Sequence, residues 1–109
     1  MHKGKAWLKA GRHTLMITIQ NGHDDVGITL EGRVAGPWVA ELSRVWVETA
    51  AQLGKKTLSI NLNNVTYADA AGKQVLRDIY TLTHARLIAN SPWTQYLAEE
   101  ITQAEAKAR

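Results

Sequence analysis

The sequence predicts a single α/β domain, built as a mixed β-sheet of about four to five strands with helices mainly on one face. Three observations carry this. Apolar residues recur at the two-residue period of a strand in some segments and at the 3.6-residue period of a helix in others. The two kinds of segment interleave along the chain, as strand–helix–strand units require. The strand segments are apolar at alternate positions only, whereas a strand covered on both faces reads as continuous apolar sequence.

The first strand pair is a hairpin. Leu15, Ile17 and Ile19 alternate with Met16, Thr18 and Gln20, and Val26, Ile28 and Leu30 alternate with Gly27, Thr29 and Glu31. Between them Asn21-Gly22-His23-Asp24-Asp25 has the composition of a turn. After the Gly32–Pro37 break, Trp38, Leu42, Val45, Trp46 and Leu53 fall on one helical face, and Gly54 is a stop signal. The next strand, 57–62, places Leu58, Ile60 and Leu62 on one face and Thr57, Ser59 and Asn61 on the other. Residues 63–69 read as a connecting loop. A second helix then carries Val75, Leu76, Ile79 and Leu82 on its apolar side, with Asp69 as the expected N-cap. Residues 84–89 read as a short strand. Ser91-Pro92 opens a third helix whose apolar stripe is Trp93, Tyr96, Leu97 and Ile101. The later strands should pair in parallel through right-handed crossovers.

Ahead of these elements lies a basic leader, residues 1–14. Lys3, Lys5, Lys9 and Arg12 precede any acid, while the remaining nine basic residues face ten acidic ones. The body is therefore nearly neutral, and the leader is expected as a solvated tail. It lacks the apolar run of a secretory signal, and no segment approaches the roughly 20 apolar residues that cross a bilayer. Cysteine is absent, so disulfides, thiolate nucleophiles and cysteine zinc sites are excluded. A cytoplasmic location is the expectation. With no phenylalanine, the four tryptophans are the large aromatic anchors. Trp46 reads as core, Trp38 and Trp93 as packing residues at helix starts, and Trp7 as an exposed aromatic.

No residue pattern points to catalysis or to a cofactor. His2, His13, His23 and His84 show no metal-ligand spacing, and no HExxH, GxSxG, phosphate loop or GxGxxG occurs. Asp24 and Asp25 are adjacent and suit a turn better than a carboxylate pair. Asp69 stands out instead. It opens a helix after a strand, where α/β proteins usually place their sites, and it is followed by the small residues Ala70, Ala71 and Gly72. No nucleophile, base or metal ligand accompanies it in sequence.

The stretch from Leu58 through Asn61-Leu62 to Asp69-Ala70-Ala71-Gly72 resembles the STAS domain, a family that includes bacterial anti-sigma factor antagonists. Its signature is a strand ending in a polar-Leu pair, a short loop, then Asp-Ser-Ser-Gly opening a helix. The likeness extends more weakly over about 15–101, making 15–109 the STAS-like domain. Ile28–Val34 resembles the family's second strand and Ala85–Ala89 its last. The resemblance implies a non-enzymatic module whose loop and following helix dock onto a regulatory protein, an anti-sigma factor or kinase. The motif's second serine is the family's phosphorylation site, and a phosphate there ends binding by adding roughly −1.5 to −2 charges. Here Asp69 matches the Asp, Ala70 the first Ser, Ala71 the acceptor and Gly72 the Gly. Alanine cannot be phosphorylated. Thr66 and Tyr67 are nearby hydroxyls outside the acceptor position. The expected partner surface is Asp69, Ala70, Ala71, Gly72, Lys73 and Gln74, joined by Trp38. Two other uses follow from the same reading. One is a subunit that holds the ATPase of a lipid-transporting ABC complex. The other is a small-molecule or anion sensor at the helix N-terminus. No cofactor, metal or nucleic acid is expected, and no feature of the sequence decides the oligomeric state.

Overall fold

A computed structural model of the chain describes residues 3–7 and 15–107, with side chains described over 15–103. The elements run β1 (Lys3–Trp7), β2 (Leu15–Asn21), β3 (Asp25–Val34), α1 (Trp38–Ala51), β4 (Thr57–Ala68), α2 (Ala70–Thr83), β5 (Arg86–Ile88) and α3 (Pro92–Lys107). The strands form one five-stranded sheet in chain order. β1, β2 and β3 pair antiparallel, and β3, β4 and β5 pair in parallel. The sheet is mixed, as the sequence predicts. Where the sequence suggests a solvated leader, Lys3–Trp7 pairs with Gln20–Met16 as an edge strand. The rest of the leader lies outside the described residues, as do His2 and His13.

The core forms on one side of the sheet. Alternate strand residues Leu15, Ile17, Val26, Ile28, Leu30, Leu58, Ile60 and Leu62 join Leu42, Val45 and Trp46 of α1, Leu76 and Ile79 of α2, and Leu97 and Ile101 of α3. Burying each such side chain contributes about 1.5–3 kcal/mol. The intervening residues Thr18, Thr29, Ser59 and Asn61 remain partly exposed on the opposite face, which is why the strands alternate.

Four further expectations fail. First, 63–69 is not a loop, because β4 continues to Ala68. Register shifts fall between Thr29 and Glu31 and between Gly32 and Arg33, and each leaves one extra residue on β4. Burial then moves from Leu62 to Val65 to Ala68, and the alternation that marks a strand disappears from the sequence. Second, His84 does not start a strand. It caps α2 in the left-handed conformation, with φ 55°, and its N–H donates to Tyr80 O at 2.8 Å. Third, Leu82 is 70% exposed, because it lies in the final turn of α2 beyond the reach of the core. Fourth, Tyr96 is 56% exposed and tilts against Trp93, with ring centroids 6.5 Å apart.

Other local expectations hold. Ser91 caps α3 with Pro92 as its first residue. Thr94 N donates to Ser91 Oγ at 3.2 Å, and Ser91 N donates to Thr94 Oγ1 at 3.1 Å, a reciprocal cap. Trp46 is core. Trp38 and Trp93 are half-buried against the core, and Trp93 Nε1 donates to Val65 O at 2.9 Å.

Candidate functional site

The site grows from the ends of two neighbouring parallel strands. β3 ends at Val34 and β4 at Ala68, paired with each other, so the segments that follow emerge side by side. After Val34 the chain turns through Ala35, Gly36 and Pro37 into α1. Gly36 makes that turn with φ +62°, a conformation open mainly to glycine. After Ala68 the chain goes straight into α2 through one residue, Asp69.

Asp69 joins the two turns. Its Oδ1 accepts from Gly72 N–H at 2.7 Å, which is the N-cap of α2, and its Oδ2 accepts from Gly36 N–H at 3.1 Å. Asp69 N–H donates to Val34 O at 3.2 Å. The hydrogen bond from Gly72, then that from Gly36, holds the carboxyl below the usual carboxylate range. Nearby Arg33 adds to this, and all three outweigh partial burial.

Gly72 locks the same junction sterically. A Cβ at this position would overlap the Val34 carbonyl oxygen. The first turn of α2 therefore lies against the β3 backbone at a distance only glycine permits. Ala70 and Ala71, which precede it in the same turn, are exposed. Beside them a cleft of about 340 Å³ is lined by Arg33, Ala35, Gly36, Pro37, Trp38, Tyr67 and Asp69. The Arg33 guanidinium stacks over the Tyr67 ring, 4.4 Å from its centroid, and Tyr67 is 42% exposed.

The structure thus brings Asp69, Ala70, Ala71 and Trp38 to one end of the molecule. Gly72 is buried there as a packing residue. Lys73 turns away to α3, where Nζ meets Glu100 Oε1 at 2.8 Å; the hydrogen bond to Glu100 raises its pKa. Gln74 is exposed and donates from Nε2 to Asp78 Oδ1 at 3.0 Å. Sequence reasoning missed Arg33 and Gly36, and it weighed Tyr67 only as a hydroxyl. Their signal was position: each lies at or just beyond the carboxyl end of a strand that borders the site.

No family model matches the chain, and no curated protein is similar to it in sequence. Among solved structures it matches the crystal structure of an anti-sigma factor antagonist from Mycobacterium paratuberculosis, with a TM-score of 0.73. The match covers 91% of this chain and 86% of that one. The fold is STAS-like. At 14% identity the likeness is one of architecture. Among the described residues no group of acids and histidines gathers as a metal site, and no described helix is long and apolar enough to cross a membrane.

Proposed function

We propose that this chain is a non-catalytic STAS-type regulatory module. It binds a protein partner at the start of α2 and is not controlled by phosphorylation at Ala71. The observation that supports this most is the use of Asp69. Both of its carboxylate oxygens are engaged by backbone N–H groups of two different turns. That use stiffens a loop and makes the carboxylate a weaker base. The stiffened loop presents exposed Ala70 and Ala71 beside a cleft that holds Trp38 and Tyr67, and aromatic residues of this kind anchor interfaces. The fold likeness to an anti-sigma factor antagonist supports an anti-sigma factor or kinase-like partner. An ATPase subunit of an ABC complex would use the same surface.

An anion sensor at this helix start is disfavoured. Asp69 already places a negative charge at the positive end of α2 and occupies the Gly72 donor.

Affinity purification from the native organism, with the wild type and an Ala71→Glu variant in parallel, tests the reading. The wild type should retain one stoichiometric partner, whose identity separates signalling from transport. The glutamate should release it, because a buried, unpaired charge at an interface is costly. A folded Ala71→Glu protein that holds the same partner equally well would overturn the assignment of this surface.

A further inference from the structure

A second surface lies at the opposite end of α2. Helix α2 is 14 residues long, so its last turn is about 20 Å from Asp69 at 1.5 Å per residue. There the C-terminal ends of α1 and α2 border a groove of about 520 Å³. Trp46, Ala50 and Leu53 line it with Val47 and Leu82, which are 54% and 70% exposed. Two large aliphatic side chains are thus left in solvent beside a groove that also takes in Trp46, Ala50 and Leu53.

The charge of the groove is one-sided. Lys55 and Lys56 line it, and no acidic residue does. Lys56 Nζ is engaged by Asn21 Oδ1 at 2.9 Å, whereas Lys55 is exposed and has no partner among the described residues. The adjacent acid Glu48 is held by Arg44 at 3.1 Å. Asp24 lies in the β2–β3 turn and Asp25 opens β3, and neither lines the groove.

We propose that this groove is a docking site for an acidic amphipathic helix of a protein partner. Its leucine-sized side chains would seat between Val47 and Leu82, with a carboxylate placed on Lys55. Helix-in-groove recognition needs these parts: an apolar trough for residues at i and i+4, and a rim of opposite charge. The site is separate from the Asp69 loop, so its test stands or falls independently.

The probe is a helical peptide of about 16 residues, long enough to hold a helix. It carries Leu at i and i+4 with flanking Glu, and its counterpart has every Glu replaced by Lys. Both are titrated into ¹⁵N-labelled full-length protein. The acidic peptide should shift the amides of Val47, Leu53, Lys55 and Leu82 saturably, and the basic one should not. Leu82→Glu should weaken binding about tenfold and Lys55→Glu roughly threefold, whereas Gln95→Lys on α3 should leave it unchanged. Leu82 and Lys55 are exposed, so both variants should keep the wild-type spectrum elsewhere. Equal binding of the two peptides, shifts confined to other residues, or no shifts would each overturn the proposal. So would movement of the same amides on raising the protein concentration alone, which would make a second copy of the chain the occupant.

Discussion

Asp69 and Gly72 divide the work of holding the loop, one by hydrogen bonding and one by having no side chain. Removing the carboxylate in Asp69→Ala takes away an N-cap, which costs about 1 kcal/mol, and also releases the Gly36 turn. Chemical denaturation should show that loss. The same residue sets a pH dependence. Its folded pKa is lowered, so the contribution is whole above the ordinary carboxylate value and disappears as pH falls through the lowered one. The stability gap between wild type and Asp69→Asn should therefore be constant near neutrality and narrow in acid. A gap that widens in acid would contradict this. Gly72→Ala should be worse than its size suggests, because the added carbon meets backbone and not a movable side chain. A loss of about 1–3 kcal/mol is expected, read as a lower denaturation midpoint. Asp69 as a cap was legible from its residue type and the small residues behind it. Its second hydrogen bond was not, because Gly36 lies 33 residues away in sequence.

Each element was legible in proportion to how regular its pattern was. The β2–β3 hairpin and the first half of β4 alternate cleanly, and the structure places them as strands. The second half of β4 was hidden by its two bulges, which replace period two with period three in Leu62, Val65 and Ala68. β1 was hidden by composition: Lys-Gly-Lys-Ala-Trp has no apolar alternation, and its strand state comes from pairing with β2. In α2 the apolar stripe outran the core by one turn. That mismatch separates two residues of similar chemistry. Leu76, fully buried, should cost about 2–5 kcal/mol as Leu76→Ala. Leu82→Ala should stay within about 0.5 kcal/mol, the range of surface changes. Thermal melts of the pair would settle it, and equal losses would contradict the placement of Leu82. The reciprocal Ser91–Thr94 cap makes a similar claim for α3: Ser91→Ala should lower stability by about 1 kcal/mol, seen as earlier loss of helical circular dichroism.

Across the whole molecule, the order of strands sets a gradient of protection. β3 is bonded on both sides over most of its length, while β1 is an edge strand and β5 has only three residues. Amide hydrogen exchange should be slowest in β3 and the first half of β4, and faster in β1 and β5. The two bulges decide where the chain can change in length. In a regular strand one inserted or deleted residue inverts every side chain beyond it, whereas a bulge sets two residues against one and absorbs the change. β4 carries two extra residues between Asn61 and Tyr67 relative to β3. Val65, beyond the first bulge, and Ala68, beyond the second, are both buried on the core side, so each bulge by itself keeps the faces aligned. Losing one bulge residue would restore plain pairing at that point and leave Asp69 aimed at Gly36. The same deletion within 57–61, where no bulge absorbs it, would turn the start of α2 to the wrong side of the sheet. The two bulges are thus the slack in a strand that elsewhere has none.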